Sequence, residues 1–306
     1  MEIRKIIGFG KNSLIISLPR EWVSKNGLSK GQEVFIDDVQ NELRIKSTNF
    51  DNAKIEKKIE INTDDLTLLA VKREICSNYI NNSNLIELKG KAILDYSYEI
   101  KNYLREFMVF EIIEERDDFI IAKDYLNLDN VEKEQIIDRM VSIMKSMFDD
   151  LRKQINPEIY ESIANRDSQI NRYYFLMERF ARYHLSKKSN EDYVKILDFV
   201  QTSILIESIG DYIKHLSGRI LSGHLIIDNK TALFLEKCAN YFSENIASFL
   251  DNDKEKFISI TNYYRNNLFS EIQRLNVSDV DKESFIVVVR NIHKSARPVI
   301  GFSKSL

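Results

Sequence analysis

The stretch Ile3-Arg4-Lys5-Ile6-Ile7-Gly8-Phe9-Gly10-Lys11-Asn12-Ser13-Leu14-Ile15-Ile16-Ser17-Leu18-Pro19, together with the residues from there to Lys46, decides how the chain is read. Two apolar, β-branched runs flank a loop with glycine at positions 8 and 10, a hairpin signal. Pro19 has the fixed φ that suits a helix start, so a short helix over 20–26 is expected. Gly27 can end it in a left-handed conformation. A turn at Leu28-Ser29-Lys30-Gly31 leads to strands over 33–36 and 42–46. Four short strands and one short helix bury too little apolar surface to stand alone. The head, 1–47, is therefore expected to be completed by a second copy of itself.

Outward from the head the composition changes. Four of the nine glycines lie in the first 31 residues, and proline occurs only at 19, 157 and 298. A turn-rich head thus gives way to a helical remainder. With 306 residues, 43% of them hydrophobic and 30% charged, the chain is globular and long enough for two or three domains. Lys and Arg number 44 against 47 Asp and Glu, a net charge of −3. That excludes a chain coated in basic charge but leaves room for one basic module. Cys76 and Cys238 stand far apart, and His184, His215, His224 and His293 are scattered, so no CxxC knuckle or histidine-rich metal site is present. GxSxG, GxGxxG and GxxxxGKS/T motifs are missing, which makes an enzyme the weaker reading. No apolar run approaches the ~18–20 residues that span a bilayer, and the first residues lack a signal-peptide core. A soluble, cytoplasmic chain without membrane insertion is expected.

Residues 53–126 alternate between strands (54–61, 84–89, 110–115, 118–123) and helices (64–81, 96–108), with Asp117-Asp118 as a hairpin turn. No catalytic constellation occurs there. Glu111, Glu114 and Glu115 read as the charged side of an edge strand. Residues 128–306 read as helices over 131–155, 157–185, 191–216, 230–250, 253–275 and 278–302. Two rounds of three imply a duplicated three-helix bundle, with repeats at about 128–217 and 218–306. The fold class is α+β.

The third of these helices carries Glu207-Ser208-Ile209-Gly210-Asp211-Tyr212-Ile213-Lys214-His215-Leu216. Glu207, Asp211 and His215 recur every four residues and share one face. Chance alone gives roughly seven acidic i,i+4 pairs in this composition, so spacing by itself says little. The setting among Leu205, Ile206, Ile209 and Ile213 says more, because a carboxylate approaching a bundle interior needs a partner or a metal. Small residues at Ser208 and Gly210 let a neighbouring helix come close. In the last helix Arg290-Asn291-Ile292-His293-Lys294 occupies the phase of Glu207 to Asp211. Arg290, Lys294 and Arg297 there form a basic stripe, either an anion- or partner-binding face or a solvated helix surface.

The spacing Leu18-Pro19-x-x-Trp22-Val23-(x)3-Gly27-Leu28-x-x-Gly31-x-x-Val34 resembles the AbrB/MazE/SpoVT swapped-hairpin family, which implies an intertwined homodimer and, for many members, DNA binding. Over nearly its full length the chain resembles the archaeal PhoU-like phosphate regulators, in which such a head precedes a PhoU helical domain. Glu207-Ser208-Ile209-Gly210-Asp211 matches their E-x-I-G-D element, and Asp167-Ser168-Gln169-Ile170-Asn171-Arg172 resembles the acidic element of the preceding helix. The resemblance implies repression of phosphate uptake, modulation of its two-component signalling, and one acidic cluster per repeat holding an iron- or zinc-type centre. Carried onto this chain, the metal ligands would be Glu207, Asp211 and Asp167, with Asn171 and His215 as further candidates. Asn171 stands where the family's second acid is expected, and the second cluster is replaced by basic residues, so no cation is expected there.

Over residues 1–30 six basic side chains face two acids, a net +4 in a chain of net −3. Double-stranded DNA is the expected partner of this patch, through Arg4, Lys5, Lys11, Arg20 and Lys25, with counterion release supplying salt-dependent affinity. Trp22 reads as core. The functional expectation is a homodimeric regulator of phosphate uptake. Two alternatives are an adaptor docking on a phosphate transporter or signalling kinase without DNA, and a metal-binding or metalloenzyme bundle.

Overall fold

The computed structural model describes residues 3–10, 13–39, 42–47, 57–187 and 192–300. The chain divides into two compact units, 1–55 and 56–306. The segments read from the sequence as 53–126 and 128–306 thus largely share one unit.

In the first unit, β1 (Ile7–Phe9) pairs antiparallel with β2 (Ser13–Ile15), and β3 (Val34–Val39) with β4 (Glu42–Ser47). Between the hairpins lies α1 (Arg20–Lys25). Gly27, at φ +61°, adopts the left-handed conformation expected after this helix, and the Leu28 amide donates back to the Val23 carbonyl. The two hairpins form separate two-stranded sheets. Among the described residues of this unit no hydrophobic side chain is buried; Leu14 is 74% exposed, Phe35 62% and Leu43 69%. Trp22 is only half-buried.

The second unit opens with a sheet of order β5-β6-β8-β7. β5 (Lys58–Asn62) runs parallel to β6 (Leu85–Lys89), joined by α2 (Leu68–Ile80), which Thr67 caps by accepting from the Ala70 amide. After α3 (Ala92–Leu104), β7 (Phe110–Arg116) and β8 (Phe119–Asp124) form a hairpin turning at Asp117-Asp118. β7 is one of the two edge strands, and its Glu115 and Glu114 pair with Lys101 and Arg116. The helix expected over 96–108 begins and ends four residues earlier and is kinked at Tyr96.

Among the described residues six helices follow: α4 (Lys133–Leu151), α5 (Pro157–Lys187), α6 (Tyr193–Leu221), α7 (Asn229–Leu250), α8 (Lys254–Ile272) and α9 (Asp279–Ser295). Asp192, Asp228, Asp253 and Ser278 cap α6 to α9, each side chain accepting from amides of the first turn. The last helix stops at Ser295, short of the expected 302, and a 3-10 turn spans Arg297–Ile300. Pro298 explains this, because its ring disfavours the α conformation at the residue before it. Arg297 consequently leaves the α9 face shared by Arg290 and Lys294.

One core joins both rounds of helices, including Met140, Met144, Phe148, Ile209, Phe242 and Phe285. The α/β layer is fastened to α5 by Phe107 against Phe175, ring centres 5.5 Å apart, and by Arg179, which donates to Asp124 at 2.6 Å. The Arg179 guanidinium also lies 4.4 Å from the centre of the Tyr79 ring.

Candidate functional site

The α5–α6 pair positions the acidic residues. A Cβ on Gly210 would meet Ile170 Cδ1 at 3.4 Å, Asp167 Oδ1 at 3.5 Å and Met144 Cε at 3.6 Å. The bare backbone of α6 therefore sits directly against Asp167, which is 1% exposed. Lys214, one turn beyond Gly210, donates from Nζ to Asp167 Oδ2 at 2.9 Å. Oδ1 of Asp167 is buried with no partner, and so is Oδ1 of Asn171 one turn along α5.

Glu207 is half-buried, and its carboxyl is pushed up to about 7 by burial first, then by Asp211 and Asp167. Asp211 is raised by burial and by Asp167, against the pull of Lys214. It opens, with Tyr160, Lys214, His215 and Arg219, on a cleft of about 520 Å³. The structure thus brings Asp167, Glu207 and Asp211 within electrostatic reach of one another, adds Lys214, and leaves His215 exposed at the cleft. Lys214 is the residue that the motif's acids overshadow, although its i+3 spacing from Asp211 and i+7 from Glu207 puts it on their face.

An iron- or zinc-type ion asks for several converging donors. Among the described residues no group of three or more His, Cys, Asp or Glu is so placed. Lys214 has taken one oxygen of Asp167, and Asn171 offers only a neutral oxygen. This arrangement does not fit a metal centre. What it can do is change its charge near neutral pH, because burial and the neighbouring carboxylates hold the Glu207 carboxyl at about 7.

In the second repeat Arg290 and Lys294 are exposed, while His293 is wedged between helices. Its ring stacks on Phe257, centres 5.8 Å apart, and Nδ1 shares a hydrogen bond with the Tyr241 hydroxyl at 3.2 Å. Burial, then Arg265, Arg297 and Lys294, push it down to about 4. Arg265 is not singled out by the sequence; the only signal is that positions 257–270 carry no acid. In the head Arg4, Lys5, Arg20 and Lys25 are exposed, and Lys11 lies outside the described residues.

Residues 9–51 match the family model described as antidote-toxin recognition MazE, bacterial antitoxin, and residues 137–220 match the PhoU domain model. The chain carries a MazE-type head and a PhoU domain. The PhoU match covers most of α4, the whole of α5 and nearly all of α6, the helices that hold the acidic cluster. Both are regulatory rather than enzymatic domain families. No curated protein matches the chain. Among the described residues, no helix flanking the PhoU acidic cluster, or elsewhere, is long and apolar enough to cross a membrane.

Proposed function

We propose that this protein is a homodimeric regulator of phosphate uptake whose MazE-type head pairs with that of a second copy and contacts double-stranded DNA, while the PhoU domain senses the signal. The observation that carries the reading is the head's lack of a core. Ile6, Phe9, Leu14, Phe35 and Leu43 are all exposed on two hairpins that do not pair with one another. A second copy bearing the same two hairpins supplies matching apolar faces and free strand edges. Each of these residues buried on pairing is worth about 1.5–3 kcal/mol.

Pairing also doubles the net +4 of residues 1–30, placing Arg4, Lys5, Arg20 and Lys25 of both copies on one small body. Light scattering on the full chain tests the dimer, and a salt titration with a short mixed-sequence duplex tests DNA binding. The affinity should fall with salt, with a logarithmic slope of about −0.9 per phosphate contact. Lys5→Ala/Arg20→Ala should flatten that slope. A monomer, or binding indifferent to salt, refutes the reading.

A further inference from the structure

We propose that the ammonium of Lys214 is the resident cation of the α5–α6 acidic cluster, so that this PhoU domain holds Asp167, Glu207 and Asp211 together without a metal centre. This role for Lys214 goes beyond the regulator reading and requires neither the dimer nor DNA. Lys214 lies three residues beyond Asp211 and seven beyond Glu207 on α6. Its Nζ crosses to α5 and donates to Asp167 Oδ2 at 2.9 Å. The Asp167 side chain is 2% exposed and that of Lys214 40%, so the stem reaches inward from the surface to the most deeply placed of the three carboxylates. Asp211 lines the same cleft as Lys214.

A buried carboxylate requires a counter-charge. A metal or an ammonium can supply it, and the local geometry favours the second. Around the position that a Gly210 Cβ would take, the neighbours of Asp167 Oδ1 are Ile170 Cδ1 and Met144 Cε, methyl groups that offer an ion no further oxygen. Oδ2 is already held by Lys214. The next oxygen along α5, Asn171 Oδ1, is buried without a donor but carries no charge. Among the described residues no group of three or more His, Cys, Asp or Glu stands ready to hold an ion. Lysine, by contrast, brings a compact point charge on a flexible four-carbon stem, and its ordinary value of about 10.4 keeps it protonated at neutral pH. Gly210, one turn before Lys214, brings the two helices close enough for that stem to span them.

The test uses the full chain without DNA. Elemental analysis of the purified protein should find well under one ion per chain, and a chelator should leave its urea unfolding midpoint unmoved. Lys214→Met keeps the stem and removes the charge, so near neutral pH in chelator it should unfold at lower urea than the parent. Manganese, an ion suited to carboxylate oxygens, should bind this variant roughly tenfold more tightly than the parent, since cation affinity follows the charge of the donor set. The same ion should raise the variant's midpoint. Lys214→Arg, which keeps the charge, should stay indifferent to manganese. Should Lys214→Met fail to fold, Lys214→Met/Asp167→Asn, with both charges gone, should fold and ignore manganese; failure of that double variant as well overturns the proposal. A stoichiometric metal whose removal destabilises the parent overturns it too. So does a Lys214→Met chain as stable as the parent in chelator, or an equal response of the two to manganese. A metal-free chain that is a monomer and ignores DNA would sustain the role of Lys214 and sink the regulator reading.

Discussion

Asn291 donates from Nδ2 to the Ser208 hydroxyl at 3.0 Å, and the two residues stand 83 positions apart. That offset also superposes Glu207 on Arg290, Gly210 on His293 and Asp211 on Lys294. The bond ties α6 directly to α9. Thr202 donates to the Ser295 carbonyl at 2.8 Å, six residues before Ser208 and four after Asn291, so α6 and α9 cross antiparallel about this contact. Gly210 on α6 lets Asp167 lie against the backbone, and His293 on α9 stacks its imidazole on Phe257.

Removing the Asn291 side chain leaves the Ser208 hydroxyl at the repeat interface without its donor. Asn291→Ala should cost about 1 kcal/mol in urea unfolding. Adding Ser208→Ala should cost little more, because the shared bond has already gone. Strictly additive losses would show that the contact contributes nothing to joining the repeats.

The buried pair between Arg179 and Asp124 fastens the α/β layer to α5, with both side chains almost wholly buried. Arg179→Ala strands a buried carboxylate and should cost about 3–5 kcal/mol. Arg179→Met/Asp124→Asn removes both charges and keeps much of the volume, so it should recover part of that loss. A double variant as unstable as the single one would mean that packing over Tyr79, rather than the ion pair, holds the layer.

The helices are legible in the sequence because their signals are local. Apolar periodicity, Pro157 at the start of α5, and capping Asp or Ser before α7 to α9 all act within a turn or two. The early end of α9 is also readable, from Pro298, but a continuous apolar pattern argues against it. The site is legible only in part. Glu207 and Asp211 can be placed on one face, yet the bond between Lys214 and Asp167 joins residues 47 positions apart. It depends on how two helices rotate against each other, which no spacing within either one specifies. Arg265 bears on His293 for the same reason, through the packing of neighbouring helices. The head's shortage of apolar burial is legible, since area is a property of composition and length.

Gly210 separates two effects. Alanine fits, because the nearest atoms around its Cβ would be at ordinary contact distances of 3.4–3.6 Å, and alanine is favoured over glycine inside a helix by about 1 kcal/mol. Gly210→Ala should therefore be neutral or slightly stabilising. Gly210→Leu would drive a branched chain into Asp167, Ile170 and Met144 and should cost at least about 1–3 kcal/mol. Equal stability of the two variants would show that α5 and α6 are not packed this closely.

Glu207 provides a test by pH. Its carboxyl titrates at about 7 in the folded chain against an ordinary value of 4.5. Between those limits the folded chain keeps a proton that the unfolded chain releases, so this group favours folding in acid. Its contribution is complete below the ordinary value and is lost as pH rises through 7. Glu207→Gln carries no charge to bury and escapes that loss. The variant should match the parent near pH 4.5 and unfold at higher urea at pH 8, by about 1 kcal/mol once partial exposure of the site is allowed for. Carboxylates whose titration lies low, such as Asp150 and Asp281, act alike in both proteins and cancel in the difference. A gap between variant and parent that stays constant across this range, or that widens toward acid, would mean that Glu207 is solvated and that the α5–α6 crevice does not store a proton.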